Sequence, residues 1–159
     1  MKTPVFLAFI SIAFLSGCGQ SETPSSAPAA PSGPRVIEIT AGDTMKFSVT
    51  SIEASPGETL DVVLTNIGTF PKEIMAHNWV LLKAGSDPAA FAAAAVSAKD
   101  TGYIPASLKG EIIAHIDLQG PRKSGEVVFK APMVPGTYPF LCSFPAHFLS
   151  GMKGALVVK

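Results

Sequence analysis

Between Glu58 and Asn66 the chain reads Glu-Thr-Leu-Asp-Val-Val-Leu-Thr-Asn, which puts Leu60, Val62 and Leu64 on one face of an extended segment and Asp61 and Thr65 on the other. That period of two is the period of a strand with one buried face, and no helix can satisfy it. Similar short runs recur at residues 35–40, 45–50, 78–82, 111–116, 125–130, 136–142 and 154–158, separated by Gly, Pro and Asn turn signals. Many short strands with such punctuation predict an all-β chain folded as an antiparallel Greek-key β-sandwich. The pattern breaks at Asp87-Pro88, where Asp87 caps a helix that Pro88 opens and the alanine-rich run to Ala98 continues. One short helical insert over residues 87–98 is therefore expected. No internal repeat is present.

The N-terminal residues stand apart from this pattern. Met1-Lys2-Thr3 is a short basic start, and Pro4 to Leu15 is an apolar run too brief to span a bilayer as a mature helix, so it reads as an export signal. Leu15-Ser16-Gly17-Cys18 then resembles the cleavage site of a bacterial lipoprotein; the alternative is an ordinary signal whose cysteine is incidental. The resemblance implies a signal peptide over residues 1–17 and lipidation of Cys18, with each buried methylene adding roughly 0.8 kcal/mol to anchoring. Residues 18–34 are rich in Pro, Ser and Ala, with too little apolar side chain to offset the entropy of ordering, and read as a tether. Residues 35–159 are then the single folded domain. The expected location is the periplasmic side of a bacterial membrane, attached through lipid. Gly19 in place of an aspartate after the cysteine is compatible with the outer membrane.

Charge excludes some partners. Twelve Lys and Arg balance twelve Asp and Glu, and no basic stripe interleaved with aromatics occurs, which argues against nucleic acid and against strong long-range steering. Of the two cysteines, Cys18 would be consumed by lipidation, leaving Cys142 unpaired in an oxidising compartment. A free thiol there needs protection, by a metal or by a core.

The neighbours of Cys142 favour the metal. Cys142-Ser-Phe-Pro-Ala-His147 followed by Met152 puts a thiolate, an imidazole and a thioether on one short loop, and His77 in Met75-Ala-His-Asn-Trp supplies a second imidazole. Sulfur donors of both kinds with imidazole suit a copper ion cycling between Cu(I) and Cu(II); zinc would accept Cys142 and the histidines but has no use for Met152. His115 lies on an alternating run away from both segments and reads as a surface residue, while Met45 and Met133 read as packing residues. With only His115 left over, the chain lacks the ligands for a second copper centre, so an oxidase or nitrite-reductase reading is not supported and the expectation is a protein that is not an enzyme.

Met75-Ala-His77-Asn-Trp, the Cys142–His147 loop with Met152-Lys-Gly after it, Ile112-Ile-Ala-His-Ile-Asp-Leu and Glu126-Val-Val-Phe together resemble the cupredoxins, specifically the azurin and auracyanin group, across nearly all of residues 35–159. The resemblance implies a type 1 (blue) copper site with His77, Cys142 and His147 as strong equatorial ligands, Met152 as the weak axial one, and the backbone carbonyl of Ala76 approaching from the opposite side. It implies that Asn78 and Ser143 support the sulfur through hydrogen bonds. It also implies an apolar collar at the His147 edge from Phe70, Met75, Phe144, Pro145, Ala146 and Phe148, where redox partners such as c-type cytochromes or membrane redox complexes would dock. Four residues separate His147 from Met152, one more than in azurin and closer to auracyanin. Ala76 stands where azurin has glycine, Asn66 where azurins often carry a buried histidine, and no cysteine is available for the azurin disulfide. The function so implied is a membrane-tethered one-electron carrier; the alternative is a lipoprotein that binds and delivers copper.

Overall fold

The computed structural model describes residues 33–159; the expected signal peptide, Cys18 and the tether up to residue 32 lie outside the described residues. The strands are β1 (Arg35–Ala41), β2 (Ser51–Ala54), β3 (Thr59–Asn66), β4 (His77–Leu82), β5 (Ile112–Gln119), β6 (Ser124–Lys130), β7 (Gly136–Leu141) and β8 (Lys153–Val158), with one helix, α1 (Pro88–Ala95), between β4 and β5. Two sheets face each other, one ordered β1-β3-β6 and the other β2-β8-β7-β4-β5. The β-sandwich with a short helix is as the alternation requires: Leu60, Val62 and Leu64 are fully buried, and they meet Trp79, Leu81, Phe140 and Leu156 of the opposite sheet in one core.

Two pairings at the sheet edges are parallel. β1 runs alongside β3 with Arg35 opposite Leu60 and Ala41 opposite Asn66, and β2 runs alongside β8 with Ser51 opposite Ala155. Alternation states which face a residue shows and carries nothing about the direction of the neighbouring strand, which here follows from the chain passing from one sheet to the other between β1 and β2. That passage also corrects the strand expected at residues 45–50. Met45 adopts a left-handed φ of 53°, its N–H donating to the Gly42 carbonyl at 3.0 Å, and only Phe47 bridges back to Ala41. Extended pairing resumes at Ser51.

β4 shows no alternation because every residue from His77 to Leu82 is buried. Trp79 and Leu81 face the sandwich core, while Val80 and Leu82 point outward and pack with Leu141 against Phe91 of α1, Ile104 and Phe148. A strand covered on both faces reads as a continuous apolar run. The cover is α1, whose Asp87 carboxylate accepts from the N–H groups of Ala89 and Ala90 at 2.8 and 3.2 Å and so satisfies donors that the first turn leaves free. The helix ends at Ala95, short of the expected Ala98, and the chain continues through 3-10 turns at Lys99–Thr101 and Ala106–Glu111.

Candidate metal centre

His77 is the first residue of β4, held in register with Gln119 of β5. Cys142 follows directly on β7, and its N–H donates to the Met152 carbonyl at 3.1 Å, so the thiol and the thioether leave the two ends of one closed loop. Inside that loop the Met152 N–H donates to the His147 carbonyl at 3.0 Å and the Ser150 N–H to the Ala146 carbonyl at 3.0 Å. Left-handed φ angles at Ala146 (69°) and Gly151 (90°) turn the backbone tightly enough for these bonds to form. The result brings three of the expected ligands together: one donor atom each from His77, Cys142 and His147 lies within 4.8 Å of the others. Cys142 Sγ is 3.4 Å from His147 Nδ1, and the imidazole centroids are 5.0 Å apart. Met152 is fully buried in the core cluster that contains Cys142, and Ala76 is fully buried next to His77.

The electrostatics describe donors that want a cation. Both ring nitrogens of His77 are buried without a hydrogen-bond partner, a costly condition for a polar group in a sandwich core. Burial pushes the Cys142 thiol up to about 12, although the backbone N–H groups of Asn78 and Phe144 pull the other way. Burial, assisted by the nearby His77, brings His147 down to about 4. Burial also lowers His77, opposed by the Asp43 carboxylate and the Gly42 carbonyl. Both imidazoles are therefore neutral near pH 7 and present lone pairs. A soft cation would hold the thiolate that burial otherwise forbids, so the residues fit copper.

Asn78 joins the two ligand segments. Its Oδ1 accepts from the Ser143 N–H at 2.8 Å and its Nδ2 donates to Ser143 Oγ at 2.7 Å; that hydroxyl in turn donates to the Tyr103 carbonyl at 2.7 Å. All of these groups are buried or nearly so, which fixes the strand end that carries Cys142. Tyr103 was not legible as a site residue, because a backbone carbonyl acceptor leaves no mark on residue type. Asn66 is fully buried, donating to the Gln119 carbonyl at 2.9 Å and accepting from the Gly68 N–H at 2.8 Å.

The collar residues divide. Phe70 is exposed, Met75 and Pro145 are half-buried and Ala146 is exposed, whereas Phe144 and Phe148 are buried, Phe144 stacking 4.7 Å from His147 and Phe148 closing the outer cluster under α1. Leu149, which the sequence reading passed over, is 86% exposed. Trp79 lies in the core, 5.3 Å from Phe140. His115 is exposed, as expected, with its Nε2 3.5 Å from Asp117. Met45 accepts from Ser150 Oγ at 3.6 Å, so it packs on the ligand loop, while Met133 is 72% exposed and rests over Gly57 instead of joining the core.

A β-sandwich that closes a buried His–Cys–His–Met set at one end defines a cupredoxin, an electron carrier with a single type 1 copper site. The chain belongs to the family of copper binding proteins of the plastocyanin/azurin type, whose pattern it matches over residues 35–159. It is similar to azurin of Pseudomonas fluorescens biotype A, 35% identical over 128 residues that cover 77% of this chain and 97% of that one. It is 37% identical to auracyanin-A of Chloroflexus aurantiacus over 131 residues, 80% of this chain and 76% of that one. Among solved structures, reduced auracyanin from Roseiflexus castenholzii aligns with a TM-score of 0.69 at 35% identity, covering 80% of this chain and 99% of that one.

Proposed function

We propose that the protein is a membrane-tethered, one-electron carrier on the periplasmic side of a bacterial membrane, exchanging electrons with redox proteins such as c-type cytochromes or membrane redox complexes. Bound copper supplies the Cu(I)/Cu(II) couple. The observation that carries the reading is closure: His77, Cys142 and His147 are each no more than 2% exposed, and the loop that holds Cys142, His147 and Met152 is cross-bonded through its own backbone. Such a set resists rearrangement between oxidation states and leaves no position for substrate, which suits an electron carrier. His77, Cys142 and His147 would hold the copper, Met152 would add a weaker thioether contact, and the Ala76 carbonyl is a further candidate donor. Electrons pass through the His147 edge, where Phe144 stacks on the imidazole. The tether and the lipid on Cys18 keep the domain near its partners.

Addition of Cu(II) to the protein, followed by visible and electron paramagnetic resonance spectroscopy, tests the site: an intense thiolate-to-copper band with a narrow hyperfine splitting is expected, and a colourless product argues against it. Met152→Leu is expected to keep the colour and raise the potential in voltammetry; loss of all copper binding would refute the axial role. Ready loss of copper to a mild chelator, without a reversible couple, would replace electron transfer by copper delivery. Radiolabelled palmitate retained by the wild type and lost in Cys18→Ser checks the anchor.

A further inference from the structure

We propose that the end of the sandwich opposite the metal is a membrane-contact surface, where the loop from Pro132 to Pro135 enters the headgroup region of the bilayer that holds the anchored chain. The proposal rests on the reading of a lipid-tethered protein and adds which face the domain turns to the lipid.

Strand register sets where that end lies. Arg35 at the start of β1 is opposite Leu60, Thr59 at the start of β3 is opposite Lys130 at the end of β6, and Gly136 at the start of β7 is opposite Val158 at the end of β8. Ala131 bonds across this end, its N–H donating to the Glu58 carbonyl at 2.8 Å and its carbonyl accepting from the Gly57 N–H at 3.1 Å. Cys142 follows the other end of β7, so the six residues of that strand put about 20 Å between this end and the ligand loop. The first strand thus opens away from the metal, and the sixteen residues between Cys18 and Arg35 join the domain there. Their reach is no more than about 60 Å. A lipid on Cys18 therefore brings this end of the domain, and not the metal end, nearest to the bilayer.

The chemistry of the loop suits that neighbour. Ala131-Pro-Met-Val-Pro-Gly136 contains no polar side chain. Met133 and Val134 are 72% and 68% exposed, and Pro135 is exposed beside them. Water contact is unfavourable for side chains of this size, and a bilayer interface removes it. The loop is held in place: the Tyr138 hydroxyl donates to the Val134 carbonyl at 2.7 Å, and the Met133 thioether lies over Gly57, whose missing Cβ and φ of 73° leave room for it. Prolines on both sides fix φ, so insertion orders little that is not already ordered. Of the other exposed large apolar side chains, Val36 and Val128 flank Asp61 close to the same strand ends, while the rest lie in the link from β3 to β4 or beside the ligand loop. The acids of the adjoining strand ends, Glu53 and Glu58, are engaged by Lys159 and Arg35 at 2.7 and 2.6 Å, and Lys130 next to the loop is exposed, so anionic headgroups meet no free carboxylate of these ends. Contact through two side chains is weak by itself. The tether makes it intramolecular and so raises its occupancy, an advantage that a separate soluble protein lacks at this end.

The test uses the full chain, expressed with its signal in a lipoprotein-processing bacterium and placed, metal-free, in vesicles of phosphatidylethanolamine and phosphatidylglycerol with brominated acyl chains. Trp79, the single tryptophan, is fully buried and gives a constant background. Val134→Trp is expected to be quenched about threefold more strongly than Phe70→Trp, because only the first places its indole at the bilayer. With copper bound, electron paramagnetic resonance of the wild type on stacked oriented bilayers is expected to change with the angle between membrane and field. Met133→Ser/Val134→Ser is expected to abolish that dependence while its spectrum in solution and its thermal unfolding stay unchanged. Equal quenching of the two added tryptophans would overturn the proposal, as would an orientation dependence that survives the double serine substitution. A dimer of Cys18→Ser in sedimentation that Met133→Ser/Val134→Ser dissolves would overturn it too, by making a second copy the occupant. Absence of lipid on Cys18 in mass spectrometry would instead overturn the tether reading, so the two failures are separable.

Discussion

At the scale of single residues, Asn78 shows how one side chain fixes the chemistry of another. Its amide holds both the N–H and the hydroxyl of Ser143, the residue that follows Cys142 in the chain. Asn78→Ala strips two buried partners at once, so unfolding by denaturant is expected to show a loss of about 2–3 kcal/mol in the metal-free protein. The copper-loaded variant should also show a shifted charge-transfer band and potential, because the sulfur loses its fixed surroundings; an unchanged spectrum would assign Asn78 to strand packing alone. The ligand types were legible from donor chemistry, since thiolate, thioether and imidazole together have few other uses. The acceptors that orient them were not. The Tyr103 carbonyl that receives the Ser143 hydroxyl would serve equally well from almost any residue.

At the scale of elements, α1 buries a strand face that would otherwise be wet. Phe91 is fully buried against Val80, Leu82 and Leu141, and Phe148 of the ligand loop shares that cluster. Phe91→Ala is expected to cost about 3–4 kcal/mol in denaturant unfolding, with copper retained more weakly because Phe148 loses its backing. A second prediction concerns the parallel edge. The Arg35 guanidinium, 2.6 Å from Glu58, and the Ser55 N–H at 2.9 Å hold the Glu58 carboxyl below its usual value, tying the start of β1 to the start of β3. A depressed carboxylate adds stability above its unfolded pKa and loses it as pH falls through the folded one. Glu58→Gln should therefore cost about 1 kcal/mol or less at pH 7, given solvent screening, and nothing at a pH below the folded value, measured by thermal unfolding across pH. The capped helix was legible to within a turn because Asp87 and Pro88 act locally. The parallel pairing of β1 with β3 was not, because it depends on where the chain changes sheet.

At the scale of the whole molecule, the metal end of the sandwich sets the acid limit of the metal-free protein. Burial lowers both His77 and His147, the latter to about 4 from an ordinary 6.5, so the folded state resists protons that the unfolded state accepts. The sign follows: stability is complete above about 6.5 and falls as pH drops toward about 4. Thermal unfolding of the metal-free protein should show a loss of about 2 kcal/mol between pH 7 and pH 5, and a loaded site should flatten that slope; a flat profile without metal would contradict the buried neutral imidazoles. The sequence by itself determined which faces of the strands are buried and which side chains are candidate ligands, because side-chain direction and donor softness are local properties. Tertiary structure alone decided that His77 meets a loop beginning with Cys142 and that β4 is covered on both faces. Those outcomes depend on strand partners and sheet crossings, which balance chain entropy and packing over the entire domain and are written in no single stretch of residues.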